Sequence, residues 1–214
     1  MRLFTNNGVG MRDIEQTPEI FWESHYDAMS PISNGIPGKI VVRFSEGLIP
    51  GKALELGCGR GDDAVWLAQQ GWQVTAVDLS YRAIEYAAAN ASRSGVNINF
   101  ERHDLTQTFP SGEFDLIVAS FLESPLEFDR APLFRTAFGH LAPGGLLLIT
   151  SHGKVPNWSK HVRPFLPASE VLASLGPLPQ GWEVQFCDEV SRVMTGPEGQ
   201  QDEVSDAVVA LKRA

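Results

Sequence analysis

The seven residues Glu55-Leu56-Gly57-Cys58-Gly59-Arg60-Gly61 decide how this chain is read. With Ala53 and Leu54 before them, the first two close a short strand at residues 53–56. Residues 62–70 then read as a helix, with acids in its first turn and Gly71 just past its end. Glycines at alternate positions let the backbone turn sharply and let a ligand approach closely. Placed after a strand and before a helix, such a loop signals nucleotide binding; the plainer alternative is a tight strand-to-helix turn.

Outward from this loop the strand–helix rhythm continues. Residues 73–78 (QVTAVD) are β-rich, Ser80 has the character of an N-cap, and Ile84, Ala87, Ala88 and Ala91 recur at helical spacing. Residues 97–102 and 114–120 (FDLIVAS) are further strands. Leu133, Phe134, Ala137, Phe138 and Leu141 mark a helix face, Pro143-Gly144-Gly145 is expected to break it, and residues 146–150 form a fifth strand. Short connections between alternating strands and helices imply a parallel sheet covered on both faces, and the uninterrupted apolar strands fit that burial. A helix follows at about residues 168–175. Residues 182–193 and 204–212 read as a terminal hairpin, which brings antiparallel pairing into the sheet. Toward the N-terminus, residues 1–15 read as a polar arm, and short helices are expected at residues 19–29 and 39–46. In the first of these, Trp22 and Tyr26 share a face.

Two acids fall at strand ends. Asp78 closes the second strand 21 residues after Gly57, where a carboxylate can accept both hydroxyls of a ribose; alternatively it belongs to a helix-start turn. Asp104 follows the third strand, where it can accept from an adenine amino group, with Leu79 and Leu105 as apolar walls; the alternative is a turn acid. A dinucleotide fingerprint would place its third glycine at position 62, which is Asp62. Glu55 also suits a cationic ligand better than two phosphates, which a carboxylate repels. Both points weigh against a nicotinamide-dependent oxidoreductase.

With these residues in view, the chain resembles the class I S-adenosylmethionine-dependent methyltransferases. Glu55, Gly57, Gly59 and Gly61 fit the family pattern, and residues 114–124 and 141–152 resemble its fourth-strand and fifth-strand motifs. The Trp22-x-x-x-Tyr26 helix and the run from Gly59 to Ser80 are similar to small bacterial enzymes of the tellurite-resistance and thiopurine-methyltransferase type. The resemblance implies an α/β, Rossmann-like three-layer sandwich whose seven-stranded, mostly parallel sheet has an antiparallel C-terminal strand. It implies S-adenosylmethionine as cofactor, held by Glu55, Gly57, Cys58, Gly59, Gly61, Asp78, Leu79, Asp104, Leu105 and Ser120, with Trp22 and Tyr26 as cover. The Pro31-to-Gly38 loop departs from the form seen in relatives, so the resemblance assigns it no role.

On the acceptor side, Phe121, Leu122 and Glu123 follow the fourth strand and His152 the fifth. His152 is a candidate base or hydrogen-bond donor, and Phe121 a pocket wall. Residues 152–163 hold Lys154, Lys160 and Arg163 with no acid, and Trp158 lies among them. Such a basic, aromatic loop would favour a small anionic or aromatic acceptor; otherwise it is a solvated loop. Arg192 is a further acceptor-side candidate. His25, His103 and His140 have no partner in spacing and read as structural or surface residues.

The whole chain has 214 residues, 43% hydrophobic and 20% charged, which suits one domain with elaborations. Within it, residues 1–50 form an arm and cover, residues 51–152 the cofactor core, and residues 153–214 an acceptor-side loop, helix and hairpin. The net charge of −9 argues against nucleic acid or an anionic membrane as partner. Cys58 and Cys187 stand far apart with no metal-ligand spacing, so neither a disulfide framework nor a metal is expected. Without an apolar run long enough for a membrane span or leader, a cytoplasmic place is expected. The activity expected is methyl transfer to a small nucleophile (a thiol, a metalloid oxyanion or another), by a monomer or homodimer. A non-catalytic nucleoside-binding protein on the same fold is the alternative.

Overall fold

The computed structural model describes residues 17–159 and 165–214. The polar arm expected at residues 1–15 lies outside them. Seven strands form one sheet: β1 (Lys52–Leu56), β2 (Gln73–Asp78), β3 (Asn99–Arg102), β4 (Phe114–Ser120), β5 (Leu141–His152), β6 (Trp182–Thr195) and β7 (Gln201–Arg213), in the order β3-β2-β1-β4-β5-β7-β6. The first five run parallel, and β7 lies antiparallel between β5 and β6. This is the Rossmann-like, mostly parallel sheet with an antiparallel final strand.

The apolar strands have a direct cause. Leu54, Leu56, Ile117, Ala119, Leu147, Ile149, Val209 and Leu211 pack into one core cluster, while Ala53, Leu116, Val118, Leu148, Val208 and Ala210 pack into another. Alternate residues of each strand therefore face opposite sides of the sheet, and both sides are covered. The helices are α1 (Pro18–Asp27), α2 (Lys39–Ser45), α3 (Asp62–Gln69), α4 (Tyr81–Arg93), α5 (Ala131–His140) and α6 (Ala168–Ser174). Ser80 caps α4 by accepting from the Ala83 N–H at 3.1 Å.

Two expectations are corrected. The buried face of α4 is Ala83, Ala87, Asn90 and Ala91, whereas Ala88 is exposed. Pro143-Gly144-Gly145 does not lie between helix and strand. The helix ends at His140 and β5 starts at Leu141, with the Pro-Gly-Gly run as an irregularity inside the strand. The partner of β4 jumps from Phe114↔Leu141 to Leu116↔Leu146. Gly145 is required there, because a Cβ would come within 3.0 Å of the Asp115 carbonyl.

The β6–β7 hairpin is longer than its neighbour. Pairing of β5 with β7 stops at His152↔Asp206, so residues 201–205 of β7 pair with β6 alone and overhang the carboxyl end of β5. The loop after β5 rests on this overhang. Ser205 exchanges hydrogen bonds with Lys154 (3.0 and 2.9 Å), and the Asn157 N–H donates to Asp202 at 2.8 Å.

Candidate functional site

The strand order reverses between β1 and β4, so the loops leaving these two strands face one crevice. After β1, Gly57, Gly59 and Gly61 have φ of 73°, 53° and 79°, which disfavours any side chain. Space is short as well. A Cβ would come 2.6 Å from Leu122 Cδ1 at Gly57, 3.0 Å from the Tyr26 hydroxyl at Gly59 and 3.0 Å from Ala87 Cβ at Gly61. The Gly57 and Cys58 N–H groups donate to the Val77 carbonyl, both at 2.8 Å. Asp78 accepts from the Gly59 N–H at 2.9 Å through Oδ2 and from the Ser80 N–H at 3.0 Å through Oδ1. Each oxygen keeps lone-pair capacity for a ligand. Burial pushes the Asp78 carboxyl up, and these backbone bonds oppose it.

Glu55 is buried near the end of β1, and its Oε2 has no hydrogen-bond partner among the described residues. Burial, then the neighbouring Asp63, holds its carboxyl well above the usual range. A buried acceptor without a donor costs about 1–3 kcal/mol, so this is a place prepared for a donor from elsewhere.

A first cavity opens over this loop. Gly57, Asp78, Leu79, Asp104, Leu105 and Phe121 line it, and Trp22 and Tyr26 of α1 cover it. Burial, then Asp78, pushes the Tyr26 phenol up, so it stays protonated. Asp104 also serves its own turn. Oδ1 accepts from the Thr106 N–H (3.0 Å) and hydroxyl (2.6 Å), and Oδ2 from the Gln107 amide (2.5 Å). Partial desolvation works against its charge, but these bonds outweigh it and hold the carboxyl low.

No residue of α1 is fully buried, so packing alone does not hold this cover. Three acids one turn apart add polar anchors. Glu23 accepts from the Tyr81 N–H (2.5 Å), the Ser80 hydroxyl (3.1 Å) and the Arg82 N–H (3.2 Å) at the start of α4. Asp27 pairs with Arg82 at 2.6 Å, and Glu19 with Arg102 at 2.5 Å.

A second cavity adjoins the first and shares Trp22, Phe121, Glu123, Ser124 and Phe128 with it. Phe165, Leu166 and Val155 continue its apolar wall, and His152, Arg130 and Ser159 are its further polar members. Phe121 sits at φ 52°, the one non-glycine with positive φ among the described residues. A bulky residue there costs roughly 1–3 kcal/mol, and such strain concentrates at functional sites. The turn is locked by Phe121 N–H donating to the Thr150 carbonyl at 2.8 Å and Glu123 N–H to the Phe121 carbonyl at 2.8 Å. It aims Phe121, Leu122 and Glu123 at the crevice.

Comparison with known proteins fits this geometry. Residues 53–145 match the methyltransferase domain family. This core of the chain, under half of its length, is similar to that family. The methyltransferase core is 39% identical over 104 residues to ribosomal protein L11 methyltransferase of Thermus thermophilus, covering 48% of this chain and 39% of that one. It is 32% identical over 115 residues to ribosomal RNA small subunit methyltransferase C of Alcanivorax borkumensis, covering 50% and 34%. The chain thus spans well under half the length of these relatives. Among solved structures, one concerned with conversion of a disulfide bond into a thioacetal group during echinomycin biosynthesis has a TM-score of 0.69 at 26% identity, covering 90% of this chain and 91% of that one. TehB from Haemophilus influenzae has a TM-score of 0.65 at 21% identity, covering 92% and 67%.

The residues present fit S-adenosylmethionine. The glycine cradle excludes side chains, Asp78 offers acceptors on the cavity wall, and the orphaned Glu55 oxygen suits a cationic or N–H donor. Glu55, Cys58, Gly59, Gly61 and Ser120 are not on the cavity wall itself, and Cys58 is buried.

Several expected residues stand elsewhere. Trp158 lines neither cavity. Arg192 lines neither, because it grips the buried Asp206 with two hydrogen bonds of 2.8 and 3.1 Å. Arg163 lies outside the described residues, as does Lys160. Lys154 faces Asp202 at 3.7 Å, so the described part of the basic loop is partly neutralised. His103 does have partners, Thr108 Oγ1 and Glu101 Oε2 at 2.9 Å each, and it lines the first cavity. Sequence reasoning missed Glu23, Arg130, Phe128 and Phe165. Only Glu23 left a signal, as the middle acid of Glu19, Glu23 and Asp27 at four-residue spacing.

Proposed function

We propose that the protein transfers a methyl group from S-adenosylmethionine in the first cavity to a small-molecule acceptor in the second. The observation that carries this is the shared wall at Phe121, where an apolar cavity containing a histidine meets the cradle of the glycine loop. The cofactor supplies an electrophilic methyl group on a sulfonium. The chain's own part is to align donor and acceptor and to exclude water, and such positioning is worth roughly 7–11 kcal/mol of barrier.

Enclosure and charge support a small acceptor over RNA. Trp22 and the loop at residues 155–159 wall the second cavity, and the net charge of −9 gives no basic footprint for a nucleic acid. One structural relative concerns conversion of a disulfide bond into a thioacetal group during echinomycin biosynthesis, whereas two sequence relatives are named for ribosomal RNA and a ribosomal protein.

Thermal denaturation tests the cofactor half. A ligand at 100 times its dissociation constant adds about 2.7 kcal/mol. For a chain of this size that raises the melting temperature by roughly 5–11 °C. S-adenosylhomocysteine should do so and NAD should not. A shift with NAD alone would remove this reading, and cofactor binding with no transfer to any small acceptor would leave a non-catalytic binding protein. Transfer to ribosomal RNA or protein, in place of small acceptors, would overturn the acceptor half.

A further inference from the structure

The second cavity contains a hydrogen-bonded relay that a positioning pocket alone does not need. His152 Nδ1 is in hydrogen-bond contact with Glu123 Oε2, and the His152 backbone N–H donates to the same oxygen at 3.3 Å. The other Glu123 oxygen faces the Arg130 guanidinium at 3.8 Å. Arg130 in turn donates to Ser151 Oγ at 2.9 Å and to the Leu122 carbonyl at 3.3 Å. The imidazole is gripped between the rings of Phe121 and Phe165, with centroids 4.6 and 5.1 Å away. Its Nε2 has no protein partner among the described residues.

A carboxylate at Nδ1 makes that nitrogen the donor in the neutral imidazole, so Nε2 carries the lone pair. From this the geometry points to His152 as the general base of the transfer, with Glu123 as its positioning residue. The acceptor is then a ring-containing molecule whose hydroxyl is still protonated at neutral pH. This rests on the methyltransferase reading above. As the hydroxyl oxygen forms its bond to the methyl carbon, the carbon–sulfur bond breaks and its electron pair stays on sulfur. The hydroxyl proton passes to His152 Nε2, and the imidazolium, paired with Glu123, later releases it to solvent.

The cavity also selects against the other acceptors considered. A thiolate or metalloid oxyanion needs no base, and it would meet the Glu123 carboxylate. Aromatic walls from Trp22, Phe121, Phe128 and Phe165 suit a planar neutral molecule.

Two readouts test this. In the S-adenosylhomocysteine complex, nitrogen-15 spectra should show neutral His152 protonated on Nδ1, with His152→Gln identifying the signal. Glu123→Gln, whose amide can donate to Nδ1, should move that proton to Nε2. In turnover, phenol and 2-naphthol serve as protonated probes and thiophenol as one already ionised. Both variants should lower methylation of the phenols by about 10²–10⁴-fold, and thiophenol methylation by no more than about threefold. An Nε2-protonated tautomer in the wild type, equal losses on both probe classes, or a wild type without phenol methylation overturns the proposal. If S-adenosylhomocysteine fails to bind at all, the methyltransferase reading fails; binding without the expected tautomer sinks this inference alone.

Discussion

Replacing Glu23 with alanine should loosen the cofactor cover without unfolding the protein. Glu23 receives three donors from the start of α4, at 2.5, 3.1 and 3.2 Å. A carboxylate capping a helix N-terminus is worth about 1 kcal/mol, and its interaction with the helix dipole roughly 0.3–1 more. The loss is therefore about 1–2 kcal/mol. The other ion pairs of α1 make up little of it, since Asp27–Arg82 and Glu19–Arg102 are exposed enough to contribute little. Because Trp22 and Tyr26 close the cavity from α1, the affinity for S-adenosylhomocysteine should fall by roughly 5–30-fold. Isothermal titration calorimetry on the wild type, Glu23→Ala and Glu23→Gln measures this directly. Glu23→Gln should fall between, as an amide oxygen still accepts but lacks the charge. Ser80 continues to cap α4, so the melting temperature without ligand should change little. Unchanged affinity, or a fall in unliganded stability as large as the loss of binding, would show that Glu23 merely caps α4 and that α1 does not govern the cofactor.

Other outcomes follow from the same geometry. Gly61→Ala places a methyl 3.0 Å from Ala87 Cβ at φ 79°, which combines roughly 1–2 kcal/mol of left-handed strain with 1–3 of overpacking against a helix. Adding Ala87→Gly should recover the packing part in urea denaturation, and additive losses would refute the contact. Asp78→Ala should weaken S-adenosylhomocysteine binding at least about tenfold, since a charged hydrogen bond is worth roughly 1.5–3 kcal/mol; equilibrium dialysis showing the same affinity would overturn the ribose assignment. The folded Glu55 carboxyl is held above its unfolded value near 4.5, so its stabilising contribution is present below that pH and lost as pH rises through the folded value. Glu55→Gln should accordingly lose less stability than the wild type between pH 4 and pH 8 in urea titrations; parallel curves would contradict the burial argument.

Much of the fold was legible because burial writes itself into sequence. Strands covered on both faces must be apolar along nearly all their length, and residues 116–119 of FDLIVAS are an unbroken apolar, buried run. The three loop glycines were legible for a similar reason, since only glycine sits easily at their φ. Phe121 adopts the same region of φ with no such mark, because the turn is held by hydrogen bonds to the Thr150 carbonyl and from the Glu123 N–H. Glu123 and His152 were each visible as residues after strands, but their contact was not. It depends on the register Ser120↔Thr150 between β4 and β5, and that is a property of pairing. Pro143-Gly144-Gly145 misled for the opposite reason, being composed like a break and used as a bulge. Arg130 and Phe165 come from loops without periodicity, and only tertiary packing brings them to the acceptor cavity.

The overhang of the β6–β7 hairpin separates two tasks in the chain. Residues 201–205 add nothing to the pairing of β5, yet they carry the loop at residues 154–157 that leads into the acceptor wall. The donor half, from Glu55 to Asp104, makes no use of them. Under the proposed function, exchanging or lengthening this hairpin tip would therefore reshape what is accepted while leaving what is donated untouched. The chain is built as a fixed handle with an interchangeable jaw, and relatives differing only in that tip should share a cofactor and diverge in acceptor.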